Sequence, residues 1–382
     1  MSSYLTAEEA ARRLGVARQT LYAYVSRGLL RAHGGDDPRR SRYAEEAVER
    51  LAVERRRGRK PREVAKSTLD WGTPLLESSI TLIRDGRLFY RGQDAAELAR
   101  TATVEEVAAL LWDMPIADAL PVQATGPAGP LEEVLLTRFT LATEDDPTAL
   151  WQKDPRRLAE GCAALLRAML GAVLGQPPGD GPLHRQLVRA WKLDEEGAGL
   201  VRMALILCAD HELNASSFTA RCVASTGASL RAAVIGGLAA LTGSRHGGAT
   251  ARLEALWNSL EPGDPAPQLR RRLAAGDHVP GFGHRLYPEG DIRGRVLLPL
   301  FLPDFPEARA LIEAAGQLTG ELPSIDVALV ALRRALRLPE GTAFGLFALG
   351  RTIGWIAHAL EQRQHGQLIR PRAVYVGPVP PA

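Results

Sequence analysis

Residues Ala209 to Ala249 read ADHELNASSFTARCVASTGASLRAAVIGGLAALTGSRHGGA, with a histidine near each end and mostly small, apolar residues between. Leu230, Val234, Leu238 and Leu241 recur three or four apart, the spacing of one helix face. The Ala, Gly and Ser positions around them let another helix approach closely. This pattern predicts a buried helix ending at Thr242-Gly243, where glycine is the usual left-handed terminator. A compact Ser-Arg-His-Gly-Gly turn and a next helix over Ala249–Leu260 should follow. His246 then stands just before a helix N-terminus, where partial positive charge disfavours imidazolium, and a neutral ring donating N–H suits polarising a carbonyl. If His211 and His246 face one cavity, the chain must fold back between them, so a bend or helix break is expected over Ser225–Ser229. Alone, a histidine in an apolar stretch is by default a hydrogen-bonded core residue; its company has to decide otherwise.

At 382 residues, 46% of them hydrophobic, the chain can build two or three domains around a sizeable core. Cys162, Cys208 and Cys222 all fall in apolar helical contexts without a C-x-x-C pair, which argues against a disulfide framework or a zinc site and fits a reducing cytoplasm. MSSYLTAEEAARRLG lacks the apolar core of a signal peptide. The longest apolar run, around Ala232–Leu241, is too short to span a bilayer, so neither export nor a membrane partner is expected. Net charge is +3, but residues 1–62 hold 15 Arg and Lys against 8 Asp and Glu. The basic character therefore belongs to the N-terminal segment.

Thr6-Ala-Glu-Glu9 has capping-box form, predicting a helix over Ala7–Leu14 stopped by Gly15, then a second helix over Ala17–Ser26. Gly28-Leu29-Leu30, a loop from Gly34 to Arg42 and a basic helix over Ala44–Arg57 complete the segment, and Arg55–Arg62 reads as a charged linker that marks a domain boundary at residue 62. Alternation over Ser78–Tyr90 around Asp85-Gly86 predicts a hairpin with a type I′ turn, the only strand pair the pattern suggests. Helical patterns follow over Val104–Trp112, Leu131–Ala142, Pro155–Leu174, Leu183–Leu193 and Glu195–Asp210. Without β-α-β alternation, the body is expected to be all-α.

The strings DHELNASSFTAR, STGAS and RHGGA, in this order and spacing, resemble the citrate synthase family. GFGHRLYPEGDIR (Gly281–Arg293), SID (Ser324–Asp326), RTIGWIAHALE (Arg351–Glu361), RPRAVYVG (Arg370–Gly377) and, upstream, ITLIRDGRLFYRGQDAAELA (Ile80–Ala99) extend the likeness over roughly Trp71 to Gly377. The resemblance implies a citrate synthase fold, with a large domain over 71–249 and 340–382 and a small domain over 250–339. It implies condensation of acetyl-CoA with oxaloacetate by a homodimer, with no metal and no redox cofactor. In its roles, His246 holds the thioester carbonyl, Asp326 is the base and His284 polarises the oxaloacetate carbonyl. His211, Arg293, Arg351 and, from the partner subunit, Arg370 bind the dicarboxylate. Gly281, Phe282 and Gly283 resemble the loop that receives the adenine of coenzyme A, and the absence of a third glycine and of a preceding strand rules out a dinucleotide fingerprint. The N-terminal segment resembles the winged helix-turn-helix of mercury-resistance-type regulators. There Arg18, Gln19, Thr20, Tyr22 and Tyr24 would face DNA, with Arg39, Arg40 and Arg42 on the wing.

Taken residue by residue, plainer readings stand beside these. Pro323-Ser-Ile-Asp invites a helix N-cap role for Asp326. Arg351 would by default sit on a helix surface, yet Ile353, Trp355, Ile356 and Ala357 around it are apolar, so a buried arginine there needs an anion. The chain also departs from the family: Pro288 stands where relatives carry a cation for coenzyme A phosphates, with Arg285 as a substitute. Asp291-Ile-Arg293 replaces Asp-Pro-Arg, and Val327-Ala-Leu-Val follows the aspartate. These changes leave two alternatives open: a 2-methylcitrate synthase using propionyl-CoA, or a DNA-binding regulator that keeps the body as a dimerisation or sensing module.

Overall fold

The computed structural model describes residues 4–26, 30, 32–34, 41–45, 47–49, 51, 76–115, 117–118, 121–122, 126–373 and 376–378. The chain divides into two compact units, Met1–Glu77 and Ser78–Ala382.

In the first unit, β1 (Tyr4–Thr6) leads into α1 (Ala7–Leu14), α2 (Arg18–Ser26), β2 (His33–Gly34) and β3 (Ser41–Ala44). The expected capping box is present: Thr6 accepts from the Glu9 N–H while the Glu9 carboxylate takes the Thr6 N–H at 2.8 Å, and Gly15 closes α1 in the left-handed conformation. Ala10, Leu14, Leu21, Tyr43 and Val48 form a small core. The three strands make an antiparallel sheet in the order β1-β3-β2. The Ser78–Tyr90 hairpin is therefore not the only strand pairing; β1 and β2, of three and two residues, are too short for alternation to reveal. Residues 45, 47–49 and 51 are helical, while the rest of the expected 44–57 helix and the linker at 55–62 lie outside the described residues.

The second unit opens with β4 (Thr81–Arg84), β5 (Arg87–Tyr90) and β6 (Gln93–Asp94) in an antiparallel sheet of that order. Asp85 and Gly86 both have positive φ, 52° and 70°, as a type I′ turn requires. The rest is helical: α3 (Ala95–Thr101), α4 (Val104–Trp112), α5 (Leu131–Leu141), α6 (Pro155–Leu174), α7 (Leu183–Trp191), α8 (Glu195–Leu207), α9 (Ala215–Ser225), α10 (Leu230–Leu241), α11 (Ala249–Asn258), α12 (Ala266–Ala274), α13 (Ile292–Leu297), α14 (Pro306–Thr319), α15 (Ile325–Ala335) and α16 (Thr342–His365). Two expected helices over Val104–Trp112 and Pro155–Leu174 have these bounds, and the others are shorter by one to three residues at their C-termini.

The organising element is α16, which packs against α4, α5, α6, α8, α9, α10 and α15. Every residue from Thr342 to Gln362 is buried. At 24 residues it is long and apolar enough to cross a membrane, but it is a buried core helix here; the uninterrupted apolar run around Ala232–Leu241 belongs to a shorter helix. Arg351, charged in the middle of the helix, hides that length from a simple hydrophobic reading.

The break expected over Ser225–Ser229 is present: α9 ends at Ser225, Gly227 takes φ 86°, and α10 starts at Leu230 under a Ser229 N-cap. The two helices pack on each other and both pack on α16. Their close approach rests on Gly236, where a Cβ would lie 2.9 Å from Val223, and on Gly237, where it would strike the Trp355 indole at 2.8 Å.

The end of α10 differs from expectation. Gly243 is not left-handed; the C-cap is Thr242 in right-handed helical geometry, and the chain winds on in tight turns with His246 N–H donating to Gly243 O at 2.9 Å. Winding on is possible because Gly247 and Gly248 carry no Cβ, which would meet Leu241 and the Gly243 carbonyl within 2.9 Å.

One further glycine fixes the site. Gly354, in the middle of α16, turns its N–H to Ala209 O at 2.9 Å, docking the α8–α9 connection directly on the helix. A Cβ there would run into the Ala209 carbonyl and the Asp210 carboxylate. Gly354→Ala is therefore expected to cost about 3 kcal/mol in urea denaturation.

Candidate active site

Cys208 to His211 form a tight connection after α8, held from two sides. Tyr90 from β5 accepts the Asp210 N–H at 3.3 Å, and its hydroxyl faces the carbonyls of Ile206, Leu207 and Asp210 at 3.0, 3.3 and 3.1 Å. On the other side the Arg351 Nε donates to Cys208 O at 2.9 Å. His211 is thereby set against the loop before α13: its Nε2 is 3.0 Å from the Tyr287 hydroxyl, and its ring meets His284 edge-on with centroids 5.1 Å apart. Burial, with the Arg293 charge next, pushes the His211 pKa well below its ordinary value, so the ring is neutral.

His284 sits in the segment from Gly281 to Arg293. Gly281 and Gly283 have φ of 83° and 77° and bracket a bridge from Phe282 to Pro323, with Gly283 N–H donating to Leu322 O and Ser324 N–H to Gly281 O, both at 2.9 Å. This pairing ties the loop to the start of α15, where Asp326 lies. The backbone N–H of Leu286 donates to His284 Nδ1 at 3.2 Å. A neutral imidazole that accepts at Nδ1 carries its hydrogen on Nε2. Burial, then the Arg293 charge, brings the His284 pKa down to about 4.

His246 presents the opposite nitrogen to the protein. Its Nε2 is 2.9 Å from Ser216 Oγ, which accepts from Trp355 Nε1 at 3.0 Å and donates to Asn214 Oδ1 at 2.8 Å. Its pKa is also about 4. The main cause is burial, followed by the charges of Arg351 and Arg293, rather than the helix terminus that the sequence suggests.

Asp326 is the second residue of α15. Ser324, not Asp326, is the N-cap, and its Oγ donates to Asp326 Oδ2 at 3.0 Å. Asp326 Oδ1 is buried and has no hydrogen-bond partner. Burial outweighs the nearby Arg293 charge and lifts its pKa from an ordinary 3.8 to about 6. A carboxyl poised near the working pH, with one oxygen unspent, is chemically available as a base.

Two buried arginines face the same region. Arg293, 3% exposed, is held by Asp291 through its Nε (2.9 Å) and an NH2 bond (2.7 Å), an ion pair that raises its pKa despite burial. Asp291 in turn accepts from the Ile325 N–H at 3.0 Å. Arg351, 1% exposed, uses only its Nε, and both terminal nitrogens are buried without a partner. Two terminal NH2 groups of one buried guanidinium, without a hydrogen-bond partner, are suited to take an anion in bidentate fashion.

The structure thus brings together His211, His246, His284, Asp326, Arg293 and Arg351: the charges of Arg293 and Arg351 act on both His211 and His246, and that of Arg293 also on His284 and Asp326. It does not bring Arg370, which is exposed beyond the end of α16. Arg285 and Pro288 are exposed on the loop after His284. Sequence reasoning missed Ser216, Tyr287, Asp291 and Trp355. Ser216 and Trp355 lie inside the quoted strings, but nothing in their spacing says that the two side chains meet.

The residues outlined here match the profile described as citrate synthase, C-terminal domain over residues 68–126 and 131–372. The chain belongs to the citrate synthase family. The Haloferax volcanii citrate synthase is 28% identical over 364 residues, covering 80% of this chain and 94% of that protein. A putative citrate synthase 2 of Mycobacterium bovis is 35% identical over 239 residues, and the match spans 59% of this chain and only 60% of that relative's length. Among solved structures, Thermotoga maritima citrate synthase superposes with a TM-score of 0.64 at 26% identity, covering 81% of this chain and 96% of that one. Citrate synthase from Thermoplasma acidophilum, solved as a ternary complex with carboxymethyl coenzyme A and oxaloacetate, shares the fold at a TM-score of 0.69 and 22% identity over 83% of this chain and 97% of that one.

Residues 4–56 match a helix-turn-helix domain profile. On α2, Arg18 and Gln19 are exposed and Tyr22 is 52% exposed, whereas Thr20 is half-buried and Tyr24 turns inward against the small core. Arg18 is paired with Glu8 at 2.6 Å in an exposed ion pair of little energetic weight. Arg42 is exposed on β3 opposite Thr6 and His33. Arg39 and Arg40 lie outside the described residues.

Proposed function

We propose that the protein condenses acetyl-CoA with oxaloacetate and water to give citrate and free CoA, as a cytoplasmic homodimer. The observation that carries this reading is one carboxylate with a buried, unspent oxygen beside two neutral imidazoles and two cations. In the proposed reaction Asp326 removes a proton from the acyl methyl group. His246 donates Nδ1–H to the thioester carbonyl oxygen as the enol forms. Ser216 gives its hydroxyl hydrogen to Asn214 Oδ1 at 2.8 Å; in the proposed reaction that hydroxyl turns to His246 Nε2, which leaves the ring proton on Nδ1. The enol carbon attacks the keto carbon of oxaloacetate while His284 Nε2–H protonates its oxygen, and hydrolysis of the resulting thioester releases CoA.

Arg351 and Arg293 would hold the carboxylates, joined by His211 and by Arg370 of the partner subunit. The segment Gly281–Gly283 with Arg285 would receive coenzyme A. Residues 250–339 would act as a small domain closing on a large domain of 71–249 and 340–382, excluding water before the thioester is activated. Release of thiol on mixing acetyl-CoA or propionyl-CoA with oxaloacetate, read with a colorimetric thiol reagent, tests the reading. No release above a His246→Ala control with either acyl-CoA overturns it, and a higher rate with propionyl-CoA assigns a 2-methylcitrate synthase instead.

Ser216→Ala is expected to lower kcat about 30-fold with little change in the KM for oxaloacetate, because the His246 ring loses the contact that sets its tautomer. Steady-state kinetics at saturating acetyl-CoA check this.

The helix-turn-helix match and the exposed Arg18, Gln19, Tyr22 and Arg42 support a second role, DNA binding by a winged module of the mercury-resistance-regulator type. Gel shifts on the chain's own upstream DNA should show retention that falls steeply with salt and is lost in an Arg18→Ala, Arg42→Ala double variant. Retention indifferent to both changes removes this role.

A further inference from the structure

Behind Arg351 lies a set of buried polar groups that the proposed reaction does not use. Asp210 is fully buried. Its Oδ2 accepts from Thr81 Oγ1 at 2.6 Å, and His358 Nε2 stands 3.3 Å from each carboxylate oxygen. His358 Nδ1 is 3.5 Å from the Arg221 guanidinium, which can only donate, so Nε2 is the nitrogen that gives its hydrogen to Asp210. Arg221 is matched by Glu361 Oε2 in a buried ion pair, and Glu361 Oε1 takes the N–H and hydroxyl of Ser79 at 2.7 and 2.9 Å. Arg221 and Glu361 therefore balance each other.

Asp210 and Arg351 are different. They are opposite charges, both buried, joined by no hydrogen bond: Asp210 Oδ1 and both terminal nitrogens of Arg351 lack partners. Asp210 is nonetheless the strongest charge holding Arg351 protonated against its burial. The two are locked in place by the same connection, since Arg351 bonds Cys208 O and Gly354 bonds Ala209 O at 2.9 Å each.

We propose that Asp210 is a positioning residue of the oxaloacetate site, acting through Arg351: its carboxylate is the counter-charge of the guanidinium while the site is empty and opposes the substrate carboxylate when the site fills. The inference rests on the reading of Arg351 as a carboxylate ligand. An isolated buried cation is costly, so Asp210 stabilises the empty protein. Its negative charge remains when a dicarboxylate arrives, and like charges in a poorly solvated site repel. Asp210 thus weakens substrate binding in exchange for a fold that tolerates Arg351 unliganded.

This sign separates it from a merely structural residue, whose loss weakens both folding and binding. Titration calorimetry with oxaloacetate and thermal unfolding with and without it, on the full chain, provide the test. Asp210→Asn should lower the Kd for oxaloacetate about threefold to tenfold, lower the Tm of the free protein and enlarge the rise in Tm on adding oxaloacetate. Unchanged or weaker binding by a folded Asp210→Asn variant overturns the inference alone. If that variant does not fold, Thr81→Val removes the shortest donor to the carboxylate at a half-buried position. It should leave the Asp210 charge less offset and weaken oxaloacetate binding about twofold, and unchanged or tighter binding overturns the inference. Wild-type protein that binds no oxaloacetate overturns the proposed function, and this inference with it.

Discussion

Asp326→Asn is expected to lower kcat about a thousandfold while leaving the Kd for oxaloacetate within about threefold. The amide keeps the shape of the carboxyl and can still accept from Ser324 Oγ, but it cannot take the methyl proton. Thiol release and calorimetry on the same preparation check the two halves of that statement. The same variant should be more stable than the parent at neutral pH. The Asp326 carboxyl has a pKa of about 6 in the folded protein against an ordinary 3.8, so the folded state holds the proton more tightly than the unfolded chain does. Stability contributed by this group is then present below the ordinary value and lost as pH rises toward 6; above 6 the full penalty, up to about 3 kcal/mol, applies. Asparagine carries no such penalty, and urea denaturation at pH 7.5 and at pH 4.5 should show the gain in full at the higher pH and about a third of it at the lower. In the parent enzyme kcat/KM should climb through about pH 6 and level off, because His246 and His284, both at about 4, are neutral across that range.

Arg351→Gln is expected to weaken oxaloacetate binding about 100-fold, a loss of roughly 3 kcal/mol for removing one side of a desolvated charge pair. The glutamine cannot supply two parallel N–H donors to a carboxylate while a third holds Cys208 O. Arg351→Lys should recover little of the loss despite keeping the charge, since one ammonium cannot serve the Cys208 carbonyl and a bidentate partner together. Calorimetric Kd values for the three proteins check this, and a lysine variant that binds like the parent would show that charge alone, not the guanidinium fork, is what the site uses.

Much of the architecture was legible because it rests on local rules. The Thr6–Glu9 capping box, the Asp85-Gly86 turn and the Pro155 start of α6 are each decided within a few residues. The break between α9 and α10 followed from a longer argument, that His211 and His246 need a reversal to share a cavity. What was not legible depends on tertiary contact. Ser216 is an ordinary small residue until Trp355 and His246 arrive on its hydroxyl from α16 and from the turn after α10. The N-cap reading of Asp326 failed because Ser324, two residues earlier, already fills that role and turns its hydroxyl to the Asp326 carboxyl. His246 is neutral as expected, but burial is the main reason, and burial is a property of the packed helices rather than of the His-Gly-Gly turn. The fully buried α16 was underread because Arg351 interrupts its apolar run, although that interruption is what gives the helix a place in the site.

The Tyr90 hydroxyl that grips the carbonyls before His211 comes from a hairpin more than 100 residues upstream. The other members of the cluster arrive from α13, α15 and α16 and from the turn after α10. No local segment holds even half of it, so closing the site requires long loops to be paid for after most helices can already form. The cluster should then be among the last parts of the molecule to assemble and among the first to come apart. On titration with urea, catalytic activity should vanish at a lower concentration than far-ultraviolet helicity.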